Sequence, residues 1–538
     1  MPSPCQPLSK LFSGLPPPFA REQDKPSLYC QLVPHVINSD DIGGPPSHFP
    51  PFLPLNTINS VVTTGIPRPR HSCFPSIFKP APSHHSVERA KKSFAILGLC
   101  EKQAVIWDLL NEGLTDEDLP LSKFEGRGLP ITSNILVSRK GKKFESFSKL
   151  ENIAVENFLE KQWLALAPIF STPGQHISLD RKNPLPFLDI KYIPTRSRST
   201  VYKGMLHAAH VMPQVENHVQ IAIKCYTNAQ EFKRENENLE KIQNLKHKHL
   251  IRHIATVRQG DLFYAILPWA SGGSLSDFWG KYPDALRTRE TVLFLWCFQQ
   301  MLGLIDALVV LHEINCRHGD LKPDNILRFE ASDDSPAQHN QYGTLVITDV
   351  GVSRVHYETT GHRFDPTTTK ATTQYYEAPE VETNMEKPRS RRYDMWSVGC
   401  VFMEFIIWLL YGERAIGNFR ESRRRDDNSI PHNGAYYKRT GKGVTAEVHP
   451  VVSRGFDALT KDPRCVKDTG LRDLVDLIAN DLIVIDPQRR LEAKELREKF
   501  NDIVIRAEEN PEYLLRMTEP PPSVPNVFLL GGQGDSYG

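Results

Sequence analysis

Two contrasting kinds of sequence follow each other in the central part of the chain. Residues 187–269 hold short runs rich in β-branched and aromatic residues, such as FLDIKYI, VQIAIKCY and DLFYAILPW. Such runs, separated by turns, are typical of β-strands. One helical segment, EFKRENENLEKIQNL, interrupts them, and long apolar helical runs dominate from about Thr291 onward. Strands first and helices second predict an α+β body with two lobes.

The flanks of this body differ from it in proline content. Residues 1–82 hold 18 of the 42 prolines. Because proline fixes φ and lacks an N–H donor, we expect a disordered tail over residues 1–85. We interpret it as a linker, with docking sites at its apolar clusters as the alternative. Residues 86–185 carry apolar residues near helical spacing and predict a helical N-terminal region. Residues 186–506 form the two-lobed body, and the EPPPSVP segment predicts a disordered tail over residues 507–538.

The composition argues against several classes of protein. The chain has 65 Lys+Arg against 64 Asp+Glu, whereas a dedicated nucleic-acid binder usually has a strong basic excess. Its nine cysteines are scattered without a C-x-x-C pair, which favours a reducing compartment over a disulfide framework or zinc site. The longest apolar stretch, 401–412, is too short to span a bilayer and carries Glu404. We therefore expect an intracellular protein, cytoplasmic or nuclear, with neither nucleic acid nor membrane as partner and with its oligomeric state open.

The most informative cluster for chemistry is RHGDLKPDNIL, which places Asp320, Lys322 and Asn325 on one short loop after a helix. Phosphoryl transfer needs a carboxylate to accept the substrate hydroxyl proton, a cation near the moving phosphoryl group and an oxygen ligand for Mg²⁺. These three residues offer those groups. Asp349 follows the apolar run LVIT, 24 residues beyond Asn325, and we expect its carboxylate to be a second metal ligand.

A lysine on an apolar strand is the second informative feature. Lys224 lies in IAIKCY, where a charge needs a partner or a ligand to justify partial burial. The following helix offers Glu235, and the F-x-x-E spacing from Phe232 favours it. Glu237 or Glu240 would take that role if the helix began later.

Three further segments supply charged residues downstream. YYEAPE contains Glu380, YDMWSVGC contains Asp394, and IDPQRRL contains Arg490. We interpret Arg490 as a structural ion-pair partner of Glu380.

Six of these segments together resemble a eukaryotic protein kinase domain of the serine/threonine type, over residues 187–506. The matching motifs, in order, are IAIK, HGDLKPDN, DVG, APE, DMWSVGC and DPQRR. The resemblance implies a five-stranded antiparallel N-lobe sheet with one helix and a mostly helical C-lobe. The preceding segment, with GLTDEDLP and KQWLALAPIF, resembles the N-terminal region that accompanies such kinases in filamentous fungi.

The resemblance also implies cofactors, a substrate and residue roles. The cofactors are ATP and Mg²⁺, and the partner is a protein substrate phosphorylated on serine or threonine. By this resemblance, Lys224 binds the α/β-phosphates and Glu235 orients that lysine. Asp320 is the catalytic base, Lys322 lies near the γ-phosphate, and Asn325 and Asp349 bind Mg²⁺. The adenine lies among Val201, Ala222 and Leu327, and the hinge runs from Leu267 to Ala270.

The sequence departs from the family pattern mainly in the loop that covers the phosphates. Its glycines align with Pro194, Arg196 and Ser199 in PTRSRSTV, although glycines allow a backbone to approach phosphates closely. This loss leaves a pseudokinase-type binding module as the alternative to an active kinase, unless the loop's arginines contact phosphate instead. Gly319 also replaces the arginine that reads an activation-loop phosphate, and Val350 replaces a phenylalanine.

Three other interpretations follow from the remaining segments. A small-molecule kinase is the third candidate, and the APE segment, which positions peptides in the family, argues against it. The threonine-rich segment 356–373 is a polar loop or a set of phosphosites. The basic clusters 387–392 and 420–425 are a solvated surface that favours acidic peptides, or nuclear localisation signals.

Overall fold

The structure, a computed structural model, divides the chain into two compact units. The first contains Met1–Ile169, Lys182–Leu188 and His207–His210, and the second contains the remainder. The residues that the structure describes are 27–37, 49–65, 88–125, 134–171, 173–194, 200–281, 291–330, 342–349, 374–383, 390–426, 434–440, 445–516 and 522–529.

Short helices and a small antiparallel sheet make up the described part of the first unit. The helices are α1 (Leu28–Leu32), α2 (Leu55–Gly65), α3 (Lys91–Leu99), α4 (Ile106–Asn111) and α5 (Asn152–Lys161), and the strands are β1 (Leu121–Lys123), β2 (Leu136–Ser138) and β3 (Lys143–Phe144). Their apolar side chains share one hydrophobic core, in which the rings of Phe147 and Phe158 meet with centroids 4.8 Å apart. The predicted helical region 86–185 therefore contains strands as well.

The prediction of a disordered tail over residues 1–85 is wrong for residues 27–37 and 49–65. Phe52 is fully buried, and its backbone exchanges two hydrogen bonds with Ile37, of 2.9 and 3.0 Å. The prolines of this segment do not interrupt its helices. Pro54 directly precedes α2, where a missing N–H costs no helical hydrogen bond.

The second unit begins with a six-stranded sheet and one long helix. The strands are β4 (Gln175–Leu179), β5 (Phe187–Ile193), β6 (Thr200–Leu206), β7 (Val219–Tyr226), β8 (Ala255–Gln259) and β9 (Leu262–Pro268), and the helix is α6 (Ala229–Gln243). The sheet order is β4-β8-β9-β7-β6-β5.

A sixth strand, β4, corrects two predictions. The sheet does not consist of five antiparallel strands, and this part of the fold begins before residue 186. β4 pairs with β8 in parallel, from Gln175 opposite Ala255 to Leu179 opposite Gln259. Its sequence, QHISL, is half polar because it lies at the edge of the sheet, so it lacks the strong apolar pattern by which the other strands were predicted.

Helices dominate the rest of the second unit. They are α7 (Leu275–Lys281), α8 (Thr291–Glu313), α9 (Glu380–Thr383), α10 (Arg392–Tyr411), α11 (Glu413–Asp426), α12 (Pro450–Lys461), α13 (Gly470–Leu477), α14 (Ala493–Glu509) and α15 (Pro511–Leu514). Two hairpins join them, β10 (Ile326–Phe329) with β11 (Thr344–Ile347) and β12 (Tyr437–Thr440) with β13 (Thr445–Val448). α8 and α10 are long and apolar enough to cross a membrane, but most of α8 and Tyr393–Leu410 of α10 are buried in this core. The order of sheet, then helices, confirms the predicted two-lobed α+β class.

The predicted disordered tail over residues 507–538 is wrong for residues 507–516 and 522–529. α14 continues to Glu509, and Phe528 is fully buried against the rings of Tyr411 and Phe419, with centroids 5.2 and 5.6 Å away. The proline content of this segment predicted disorder. Burial of the Phe528 ring removes a large apolar area from water and so stabilises the segment.

Candidate active site

A buried carboxylate fixes the loop between α8 and β10. Asp394 of α10 accepts hydrogen bonds from the backbone N–H groups of His318 and Gly319, both of 2.8 Å, and bonds His312 Nε2 at 2.8 Å. Burial by itself would raise the pKa of Asp394, but these hydrogen bonds outweigh it and lower that pKa. The loop therefore rests on a charged group that stays ionised.

The ring of His318 connects this loop to the end of β11. Its Nε2 hydrogen-bonds the carbonyl oxygen of Thr348 at 2.9 Å, and its Nδ1 accepts from the backbone N–H of Asp320 at 3.2 Å. Gly319, which replaces the family's arginine, has a φ of +80°, a region that favours glycine.

The three polar residues of the loop converge on one carboxylate. Lys322 Nζ lies 2.9 Å from Asp320 Oδ2, and Asn325 Nδ2 donates to the backbone oxygen of Asp320 at 2.8 Å and to its Oδ2 at 3.2 Å. Burial raises the pKa of Asp320, and the Lys322 ammonium only partly offsets this effect. A carboxylate with a raised pKa that is held by a cation is suited to accept a proton from a hydroxyl.

Lys224 on β7 lies between two carboxylates. Its Nζ is 2.8 Å from Asp349 Oδ1 and 3.7 Å from Glu235 Oε1. Burial alone would lower the pKa of Lys224, but the two carboxylates raise it well above its ordinary value. Glu240, one of the two alternatives to Glu235 as partner of Lys224, accepts a hydrogen bond from Asn236 at 2.6 Å.

The start of α6 explains why Glu235 reaches the lysine. The side chain of Asn228 accepts from the N–H groups of Gln230 and Glu231, which fixes the first turn of the helix. Phe232, one turn before Asn236, stacks on Phe263 of β9 with ring centroids 4.8 Å apart. The cap and the aromatic contact together set the register of the helix.

Asn325 and Asp349 meet the chemical requirements of a magnesium site. Thr348, next to Asp349, donates its N–H to the backbone oxygen of Asn325 at 3.0 Å. Because the amide nitrogen of Asn325 is directed to Asp320, its amide oxygen is left to accept or to ligate. Lys224 lowers the pKa of Asp349 although burial opposes this effect, so both donors are hard oxygens of the kind Mg²⁺ prefers.

Two of the residues expected around the adenine, Val201 and Ala222, share one face of the sheet with Leu267 of the expected hinge, whereas the third, Leu327, lies on β10. Val201 of β6 lies directly opposite Lys224, and Leu267 of β9 lies directly opposite Ala222. Opposed residues project to the same face, as do residues two apart on one strand. Val201, Ala222 and Leu267 are half-buried, which leaves a partly exposed apolar surface beside Lys224.

The segment that follows the hinge pairs with β10. After β9, Ala270 is buried, and Gly272 donates its N–H to the oxygen of Arg328 at 3.1 Å. Arg328 returns a bond of 2.8 Å to Gly273, which brings Leu327 beside the segment that follows the hinge. The structure therefore brings the whole predicted set of site residues into the second unit.

The ion pair predicted in the helical lobe is confirmed. Arg490 makes two hydrogen bonds to the carboxylate of Glu380, of 2.7 and 2.8 Å, and both residues are buried. Bidentate geometry of this kind gives a directional, charge-assisted contact.

A second buried charge cluster was missed by the sequence analysis. Glu404 of α10 is fully buried; it accepts two hydrogen bonds from Arg420, of 3.0 and 2.7 Å, and one from Tyr376 Oη, of 2.7 Å. Arg423 lies 3.5 Å away and is also fully buried. The interpretation of residues 420–425 as a solvated surface is therefore wrong for Arg423, whereas the side chain of Arg420 is 35% exposed. The lone charge of Glu404 in an apolar stretch was the signal, because a buried carboxylate requires a cation.

Several sequence-based interpretations lie outside the described residues. These concern Arg196 and Ser199 in the phosphate-covering loop, Val350, the threonines of 356–373 and part of the basic cluster 387–392.

Comparison with known proteins agrees with this geometry. The protein kinase domain family matches residues 203–499, which is more than half of the chain. A mitogen-activated protein kinase kinase kinase of Arabidopsis thaliana is 28% identical over 261 residues, 47% of this chain and 35% of that protein. A calcium/calmodulin-dependent protein kinase of Emericella nidulans is 29% identical over 31% of this chain and 35% of its own length. A probable serine/threonine-protein kinase of Dictyostelium discoideum is 29% identical over 30% of this chain and 21% of its own length.

The chain thus spans about a third or less of the length of these relatives. The family match includes Lys224, Asp320 and Asp349 and ends beyond Arg490. With its sheet of strands, its helical body and the convergence of these residues, this chain belongs to the protein kinase domain family.

Proposed function

We propose that this protein transfers the γ-phosphate of ATP to serine or threonine hydroxyls of protein substrates, with Mg²⁺ as cofactor. The observation that carries the proposal is the convergence of Lys322 and Asn325 on the carboxylate of Asp320, at 2.9 and 3.2 Å. A proton acceptor, a cation and an amide oxygen in one place are what phosphoryl transfer requires.

In this proposal some residues bind the nucleotide and its metal ion, and others take part in proton transfer and charge stabilisation. Lys224 binds the α/β-phosphates, and Glu235, 3.7 Å away, orients it. Asp320 accepts the proton of the attacking hydroxyl, while Lys322 offsets the charge on the transferred group. Asn325 and Asp349 would hold Mg²⁺, which neutralises phosphate charge when bound.

The serine/threonine class rests on two supports. The catalytic loop reads DLKPDN, whose lysine resembles the serine/threonine subclass, and one of the relatives is named a serine/threonine-protein kinase. An intracellular location stays a prediction.

A pseudokinase-type binding module is the second candidate function. The observation in its favour is the loss of the covering glycines, beginning with Pro194. Against it stands the presence of every residue that takes part in the chemistry, since a degenerate module is expected to lose Lys224, Asp320 or Asp349 as well.

The deciding experiment measures phosphate transfer from MgATP to a generic basic protein, with Asp320→Asn as the matched variant. We expect turnover by the wild type and a loss of several orders of magnitude in the variant, while nucleotide binding persists in both. Nucleotide binding without turnover in the wild type, under any substrate tested, would favour the binding module. Absence of nucleotide binding would contradict the use of ATP itself.

A further inference from the structure

Strand β4 lies against helix α6 as well as at the edge of the sheet. The ring of His176 faces that of Phe232 with centroids 6.1 Å apart. At the entry to the strand, Gly174 has a φ of +89° and donates its N–H to Ile254 at 2.9 Å. A Cβ on Gly174 would lie 2.6 Å from the side chain of Gln243, the last residue of α6. β4 therefore contacts the helix near both of its ends.

A chain of hydrogen bonds links the middle of the helix to the same strand. His176 Nδ1 lies 2.9 Å from Thr256 Oγ1, and Thr256 donates to Asn236 Oδ1 at 2.5 Å. The one proton of the Thr256 hydroxyl is used on Asn236, so His176 must donate through Nδ1–H. Asn236 in turn donates to Glu240 at 2.6 Å. Thr256, which lies on β8, is fully buried.

This series of hydrogen bonds passes next to the residue that orients the nucleotide-binding lysine. Asn236 directly follows Glu235, whose carboxylate is 3.7 Å from Lys224 Nζ, beyond ordinary hydrogen-bond distance. A small displacement of α6 away from the sheet would separate that pair, whereas Lys224 is already bonded to Asp349 at 2.8 Å. The position of the helix thus decides whether Glu235 contributes.

We propose that β4 holds α6 in the position in which Glu235 contacts Lys224, and that His176 and Thr256 are positioning residues for this ion pair. The proposal deepens the kinase function proposed above and rests on it for its kinetic consequences. The structural part, the attachment of α6 by β4, stands independently of that function.

The first test is hydrogen–deuterium exchange of the backbone amides of α6 in the full chain. His176→Phe keeps a ring against Phe232 but removes the donor, and Thr256→Val keeps the side-chain shape but removes the hydroxyl. We expect exchange in α6 to become about three- to tenfold faster in both, the scale of one or two lost neutral hydrogen bonds. Thr256→Ser should restore the wild-type rate, and Ser178→Ala, on the same exposed face of β4, should leave it unchanged. Because Thr256 lies on β8 and bonds Asn236 directly, unchanged exchange in His176→Phe would overturn the proposal even if exchange in Thr256→Val were faster.

The second test separates a positioning role from a general loss of stability. We expect kcat/KM to fall about three- to tenfold in His176→Phe, on the same hydrogen-bond scale. In the Glu235→Gln background the same substitution should cause no further loss, because the strand acts through Glu235. A full additional loss in that background would overturn the proposal. If the wild type transfers no phosphate, the proposed function fails, and the exchange experiment still decides whether β4 holds α6.

Discussion

At the scale of single residues, opposing effects set the protonation of the candidate base. Burial raises the pKa of Asp320, and the ammonium of Lys322 at 2.9 Å lowers it. The net pKa remains above the ordinary value for an aspartate. Because only the deprotonated carboxylate accepts the hydroxyl proton, activity should decline as the pH falls through this raised pKa.

This balance predicts the effect of Lys322→Met on the pH–rate profile. Removal of the cation destabilises the carboxylate, so the pKa of Asp320 rises further and the acid limb of kcat/KM moves to higher pH. We expect kcat also to fall by roughly 10²-fold, as for the loss of one group that stabilises transition-state charge. The measurement is the pH dependence of kcat/KM for wild type and variant. An acid limb that stays in place would contradict this account of Asp320.

Several site residues were predictable from the sequence because their chemistry lies within short segments. Asp320, Lys322 and Asn325 fall within six residues, and Lys224 was conspicuous as a charge on an apolar strand. Glu404 was noticed only as a charge in an apolar stretch. Its partners, Tyr376 and Arg420, lie in other elements, and no sequence motif pairs them with Glu404. Their pairing depends on where helices pack, which residue patterns do not encode directly.

At the scale of elements, buried apolar side chains decide whether a proline-rich segment is ordered. The segment 522–529 follows a proline-rich run, but Phe528 is fully buried between the rings of Tyr411 and Phe419. Asn418 also donates to the backbone oxygen of Phe528 at 3.0 Å. One side chain and one hydrogen bond thus join the end of the described chain to α10 and α11.

Phe528→Ala should therefore destabilise the second unit although it lies near the C-terminus. Truncation of a fully buried phenylalanine removes transfer free energy and leaves a cavity, so we expect a loss of about 3–5 kcal/mol in the free energy of unfolding. Leu529→Ala is the matched control, since Leu529 is 44% exposed, and it should change stability by less than about 0.5 kcal/mol. Urea unfolding of the three proteins measures both. Equal stability of the two variants would show that the segment does not contribute to the fold.

At the scale of the whole molecule, the candidate site lies within one unit. Residues from the sheet, from α6, from the loop after α8 and from the end of β11 all belong to the second unit. Ligand binding at this site should therefore stabilise that unit as a whole, because a ligand that binds only the folded state shifts the unfolding equilibrium.

Thermal unfolding with and without MgATP tests this expectation. At a free nucleotide concentration 100 times the dissociation constant, the stabilisation should be about 2.7 kcal/mol, seen as a Tm raised by a few degrees. Lys224→Met should abolish most of this increase because it removes the cation that we propose to bind phosphate. Lys233→Met, an exposed lysine on α6, should retain the increase. An equal increase in both variants would mean that nucleotide does not contact Lys224.

The sequence by itself determined the order of strands and helices, the resemblance to protein kinases and the residues of the catalytic loop. These features are encoded locally, in hydrophobic periodicity and in contiguous motifs. Only the tertiary structure decided that β4 pairs with β8, that residues 27–37, 49–65 and 522–529 are ordered, and that Arg420 and Arg423 are bound to Glu404. Each of these depends on which distant surfaces meet. A proline-rich segment or a polar edge strand is ordered when a distant core or sheet edge supplies the contacts that offset its conformational entropy.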